Sequence, residues 1–269
     1  MSVIKLGLDP GHGGSDLGAI GQKAKEKDVV LKIALKVRDI LSQYENVEIY
    51  MTRTTDVDVS LEERAKFANS VGATGFISIH ANAASSPKAR GTEVWVWKKG
   101  YEAEKMALSI LRALAQIPYP SLLPRYCIAT EGNQFETYLL QDDVLQATIP
   151  LAYYELDNRG VKEANFYVLK YTTMPAVLVE TAFITNPEEE DMLINRYEEF
   201  AQAIADGIVK YYGLTPKPKE KTWEEIQQEA LVWAKTVGLL NSPHDINESM
   251  TVGLWAVLEK RKREDLKWY

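Results

Sequence analysis

Between Lys5 and about Gly213, short runs rich in Val, Ile and Leu alternate with longer stretches whose apolar residues recur every three or four positions. Nearly continuous apolar runs of five or six residues read as strands buried on both faces, and three- to four-residue spacing reads as helices with one apolar stripe. Strands are predicted over residues 4–8, 47–52, 75–80, 92–97 and 176–180. Val29, Ile33, Val37 and Ile40, flanked by Val30, Ala34 and Leu41, predict a first helix. Ser60-Leu61-Glu62-Glu63 is a capping-box pattern and predicts a second one starting there. From Tyr101 to Leu156 the periodicity breaks at Pro118, Pro120 and Pro124, and the expectation is a helix, a loop and then mixed structure. The pattern as a whole predicts a layered α/β domain with helices packed on a sheet.

After Gly213 the chain changes character. Residues 214–221, with Pro216-Lys217-Pro218-Lys219 at their centre, suit an extended linker and not a helix or strand. Beyond it, Trp223, Ile226, Ala230 and Trp233 mark one helix and residues 252–263 a second. The expected organisation is a catalytic domain over 1–213, a linker over 214–221 and a small α-helical module over 222–269. That module holds Trp223, Trp233, Trp255 and Trp268. Tryptophans in so short a segment either fill its own core or stack on the faces of sugar rings in a ligand.

Composition narrows the chemistry. A net charge of −7 leaves no electrostatic footprint for nucleic acid. No apolar run approaches the roughly 20 residues of a spanning helix, so no membrane insertion is expected. The first residues read as a strand and not as a signal peptide, which gives the expectation of a protein made in the cytoplasm. The single cysteine, Cys127, excludes disulfides within the chain and any Cys-rich zinc site, so a metal would depend on histidines and carboxylates.

Two of the three histidines stand where a strand runs into a polar turn, in Asp9-Pro10-Gly11-His12-Gly13-Gly14 and Ser78-Ile79-His80-Ala81-Asn82. Carboxyl ends of neighbouring strands open onto a shared crevice, so His12 and His80 can converge there despite their separation in sequence. A hydrolytic zinc site keeps three protein ligands and one open position, and two His with one Glu is a recurrent set. Glu26 opens the first helix, where it either complements the helix dipole or supplies that carboxylate. Glu180 closes the apolar run Pro175-Ala176-Val177-Leu178-Val179-Glu180, as an ordinary strand-end acid or as a proton carrier. His244, in Ser242-Pro243-His244-Asp245, reads as a surface or capping residue.

Taken with Lys25-Glu26-Lys27-Asp28 and Arg159-Gly160-Val161-Lys162, these motifs resemble, in order and spacing, the zinc-dependent N-acetylmuramoyl-L-alanine amidases of the amidase-3 family over residues 1–213. The resemblance implies a mixed, mostly parallel six-stranded sheet between helices. It implies cleavage of the bond between N-acetylmuramic acid and L-alanine in peptidoglycan, with one zinc ion held by His12, Glu26 and His80 and with Glu180 as the catalytic glutamate. Arg64, Asn69 and Asn82 occupy family-like positions and are assigned to orienting ligands, binding substrate or anchoring loops. The tail resembles those of some bacteriophage lysins, which adds the expectation of an endolysin acting on the wall after release. A sporulation or autolytic amidase, a zinc carboxypeptidase acting on free peptides, and a wall-binding protein with a degenerate site are the alternatives.

Overall fold

The computed structural model describes residues 3–119, 126–131, 134–141, 144–148, 156–219 and 221–236. Six strands form one sheet in the order β2-β1-β3-β9-β4-β8: β1 (Ile4–Pro10), β2 (Val47–Met51), β3 (Gly75–Asn82), β4 (Thr92–Val96), β8 (Asn158–Glu163) and β9 (Ala176–Phe183). Every pairing is parallel except β4 with β9. The sheet is therefore mixed and mostly parallel, with its central strands apolar toward both faces as the sequence pattern requires.

Three helices cover one face: α1 (Glu26–Leu41), α3 (Glu102–Leu114) and α6 (Tyr197–Tyr212). Their apolar stripes meet Ile77, Ile79, Val177, Val179, Val94 and Val96 in a continuous core. At Gly207 the α3–α6 crossing is so close that an added Cβ would lie 2.4 Å from the Ile110 backbone. The opposite face is covered by α2 (Leu61–Ser70) and the short α4 (Tyr167–Lys170), where Ala68, Phe76, Val168, Leu169, Ala176 and Leu178 form a smaller cluster. A further helix, α5 (Pro187–Asn195), follows β9 and is capped by Asn186, whose side chain accepts from the amides of Glu188 and Glu189.

The predicted strands and the first two helices are present, several extended by a few residues. The Ser60 cap is present in full: its hydroxyl accepts from the Glu63 amide and the Glu63 carboxylate accepts from the Ser60 amide. Two features depart from expectation. The sixth strand, β8, carries Arg159-Gly160-Val161-Lys162, too polar to read as a strand, because it lies at the sheet edge with one neighbour. In the stretch up to Leu156 the expected helix is present as α3, and the described residues of the part expected as mixed structure form an antiparallel three-stranded sheet, β5 (Tyr126–Glu131), β6 (Gln134–Gln141) and β7 (Val144–Thr148).

The chain divides into two compact units, Met1–Pro216 and Lys217–Tyr269. The first residues of the stretch read as a linker are held to the first unit, since Thr215 O accepts from Glu45 N and Pro216 bridges to Tyr44. In the second unit, α7 (Trp223–Thr236) forms the first tail helix, with Trp223 half exposed. The second tail helix, His244, Trp255 and Trp268 lie outside the described residues.

Candidate metal centre

The carboxyl ends of the parallel strands β1, β3 and β9 lie side by side, and the first turn of α1 sits over them. Asp9 pairs with Ser78 and His80 pairs with Glu180, so the predicted site residues of three segments arrive in neighbouring positions. His12 follows β1 in a left-handed conformation, φ 58°, that turns its ring back over the strand end. Gly11 makes room for this: a Cβ there would lie 2.2 Å from the His80 ring. Arg53, buried, holds the same turn by donating to the carbonyls of Pro10, Gly11 and Lys27.

Three donors converge. Oε1 of Glu26 lies 3.1 Å from His12 Nε2 and 3.0 Å from His80 Nδ1, and one ligand atom from each residue fits within 4.8 Å of the others. Zinc bonds of about 2.0 to 2.1 Å in a tetrahedron place donors roughly 3.3 Å apart, and the two separations from Glu26 Oε1 to the imidazoles lie near that value, so the three groups could hold such an ion. The Glu26 carboxylate is itself fixed, Oε2 accepting from Ala19 N at 2.7 Å and Oε1 from Ala81 N at 3.0 Å. Each imidazole has its other nitrogen engaged. His12 Nδ1 meets Asp16 Oδ2 at 2.8 Å, and His80 Nε2 meets Ser78 Oγ at 3.1 Å, which in turn donates to the buried Asp9 at 2.7 Å. Outer partners of this kind fix the ring orientation and basicity of ligating histidines.

The electrostatics fit a cation. Burial alone would lower the His12 pKa, but its hydrogen bond and charge interaction with Glu26, then those with Asp16, outweigh it and raise the value to about 9. Burial would raise that of Glu26, yet the two imidazoles hold its carboxyl well below the usual range. The three groups thus retain positive charge in their midst, which a metal ion supplies in place of a proton. Beside them Glu180 has a buried oxygen, Oε2, with no hydrogen-bond partner among the described residues. Burial pushes its carboxyl up to about 7, with the His80 ring opposing and Glu26 and Glu93 adding to the effect. A carboxyl poised near neutrality in a cleft is suited to taking and returning a proton.

A groove of about 600 Å³ opens over these groups, lined by His12, His80 and Glu180 and walled on one side by Phe166, Tyr167 and Val168. Arg64 reaches into its floor from α2, donating to Asp9 Oδ1 and to the carbonyls of Pro10 and His12. Asn82 donates to Glu93, which is paired with Glu180 across the sheet. Asn69 lies away from the triad and ties the end of α2 to the turn at 171–173. Reasoning from sequence passed over Asp16, Ser78, Arg53 and Glu93 as individual residues. Ser78 alone carried a signal, a polar residue two positions before His80 in an otherwise apolar strand.

Comparison with known proteins points to one family. A family profile described as N-acetylmuramoyl-L-alanine amidase matches residues 6–210. N-acetylmuramoyl-L-alanine amidase AmiA of Escherichia coli K12 is 36% identical over 221 residues, covering 76% of this chain and 75% of that protein. The endolysin of Bacillus phage SPP1 is 33% identical over 215 residues, covering 78% of this chain and 66% of that protein. Among solved structures, the catalytic domain of CwlV, an N-acetylmuramoyl-L-alanine amidase from Bacillus (Paenibacillus) polymyxa var. colistinus, superposes with a TM-score of 0.62 at 30% identity over 79% of this chain and all of that one.

Proposed function

Because this chain belongs to the amidase-3 family of N-acetylmuramoyl-L-alanine amidases, we propose that it is a zinc-dependent hydrolase cutting the amide between N-acetylmuramic acid and L-alanine in peptidoglycan. The observation that carries the reading is the meeting of His12 Nε2, His80 Nδ1 and Glu26 Oε1 within 4.8 Å of one another, beside a Glu180 oxygen that has no hydrogen-bond partner among the described residues. His12, Glu26 and His80 would hold the ion, which when bound acidifies water and polarises the scissile carbonyl. Glu180 takes a proton from the attacking water and returns it to the departing alanine nitrogen. Asp16 holds the His12 ring, and Ser78 with Asp9 holds the His80 ring, so that both lone pairs point to one place. Phe166 and Tyr167 wall the groove in which the substrate is aligned and water is limited.

Similarity to a phage endolysin supports a lytic role, in which the enzyme reaches the wall on release from the cytoplasm. In that setting residues 222–269 serve as a wall-binding module, which raises the effective substrate concentration at the catalytic unit.

Glu180→Gln tests the central reading. The variant is expected to bind zinc stoichiometrically as the parent does and to lose roughly a hundred- to ten-thousandfold in kcat. Activity is read as new L-alanine amino termini appearing in digested wall with intact muramic acid, and it should vanish on chelation and return with zinc. An equally active Glu180→Gln, or release of single amino acids without new L-alanine termini, would overturn it, the second in favour of a carboxypeptidase.

A further inference from the structure

The far side of the site, on β4 and β8, holds charged residues that the chemistry above does not use. Glu93 is 3% exposed and lies directly opposite Glu180 in the antiparallel pairing, on the same face of the sheet. Its carboxylate accepts from four donors: Asn82 Nδ2 at 2.9 Å, Trp95 Nε1 at 3.2 Å, Arg159 Nε at 2.7 Å and Lys162 Nζ at 2.5 Å. Both cations come from β8. The pairing of β4 with β8 shifts register between Thr92 and Val94, so that Arg159 and Gly160 together oppose Glu93 and both cations reach one carboxylate.

One cation balances a buried carboxylate; the second is surplus. The Arg159 and Lys162 side chains remain 38% and 33% exposed, against 4% for Glu93. Arg159 uses Nε on Glu93 and Nη1 on the Arg90 carbonyl, while Nη2 has no hydrogen-bond partner among the described residues. Lys162 has three N–H donors and bonds only to Glu93 among the described residues. Its ammonium stands 5.1 Å from the Trp95 ring, and Trp95 packs edge-on against Phe166 at 5.5 Å, a wall of the groove. The cluster thus adjoins the substrate path, presents net positive charge and has donors to spare.

Its distance from the chemistry selects the ligand. From Glu180 to β8 is two strand spacings, roughly 10 Å, which is the reach of about three extended residues. A peptide whose scissile amide lies at Glu180 and which runs across the sheet brings its second or third residue to Arg159 and Lys162. We propose that Arg159 and Lys162, braced on Glu93, form a carboxylate-binding subsite for the stem peptide, so that the enzyme selects stems with free carboxylates over amidated ones. This rests on the amidase reading. The brace removes most of the rotamer entropy that two long side chains would otherwise lose on binding, and a planar guanidinium beside an ammonium suits a carboxylate's two oxygens.

The test compares kcat and KM on two soluble muropeptides that differ only in whether the stem carboxylates are free or amidated. The parent is expected to favour the free form roughly tenfold in kcat/KM, with the difference in KM, as befits a charge-assisted contact. Lys162→Met should bring that ratio close to one, and Lys162→Arg should retain it, a rescue that a purely structural role for the charge would not produce in the ratio. Should Lys162→Met fail to fold, Arg159→Gln, which leaves Lys162 on Glu93, carries the same comparison. Equal treatment of the two peptides by the parent, or an unchanged ratio in the folded charge-removing variant, would overturn the subsite. Cleavage of neither peptide by the parent would instead overturn the amidase reading.

Discussion

Gly11 carries a tight steric condition in the site, since a methyl group there would stand 2.2 Å from the His80 ring. Gly11→Ala is therefore expected to push His80 off Glu26 and weaken zinc binding by roughly ten- to a hundredfold, comparable to losing an outer-shell partner. Competition against a chromophoric chelator reads this directly, and parent-like affinity would show that the ring has room to give. A second residue sets a pH dependence of stability. Glu189 is buried at the start of α5, where it accepts from the amides of Gly91 and Phe183 at 2.6 Å each. Burial is the main cause that raises its carboxyl from 4.5 to about 7, the two amides opposing. The fold therefore favours the protonated form. Its stabilising contribution is complete below pH 4.5 and is lost as pH rises to about 7, on the order of 3 kcal/mol in all. Across that window, denaturant melts should show a flatter pH dependence for Glu189→Gln than for the parent; parallel profiles would mean that Glu189 ionises in the fold as it does in the unfolded chain.

At the scale of elements, α2 matters to the site because it delivers Arg64 to the carbonyls around His12. Its start depends on the reciprocal Ser60–Glu63 cap. Ser60→Ala is expected to cost about 1 kcal/mol, a fall of roughly 2 to 4 °C in Tm for a unit of this size. An unchanged calorimetric Tm would mean that packing of Ala65 and Ala68, and not the cap, holds the helix in place. The cap, the α1 stripe and five of the six strands of the main sheet could be read from residues alone, because each is written in neighbours a few positions apart. Strand β8 could not. Its Arg-Gly-Val-Lys run looks like a polar turn until β4 places Glu93 opposite its two cations. Strands β5 to β7 escaped for another reason: their apolar residues follow no period that separates strand from helix, although Gly132-Asn133 between the first two is a hairpin signal in its own right.

For the whole molecule, the division after Pro216 leaves the whole of the family match, residues 6–210, within the first compact unit. Both faces of its sheet are covered by its own helices. A chain ending at Pro216 is expected to melt cooperatively and to cleave soluble muropeptides at a rate within about threefold of the full chain, if the remaining residues only anchor the enzyme. It should bind intact wall more weakly in a pelleting assay. Loss of muropeptide cleavage with the fold intact would assign residues 217–269 to the active site.

What the sequence by itself determined was local: helix and strand periods, the caps, and the placing of His12 and His80 at strand ends, since these follow from the geometry of a few successive residues. The family resemblance carried Glu26 and Glu180 to the same site. Only the tertiary structure decided which ring nitrogen of each histidine meets Glu26, that Asp16 and the Ser78–Asp9 pair stand behind them, and that one buried Glu180 oxygen has no partner among the described residues. It alone brought Glu93 between the catalytic strand and two cations of β8. The physical reason is common to all of these. Hydrogen bonds and ion pairs of this kind join residues dozens of positions apart, and their partners are chosen by sheet order and register, which no local pattern records.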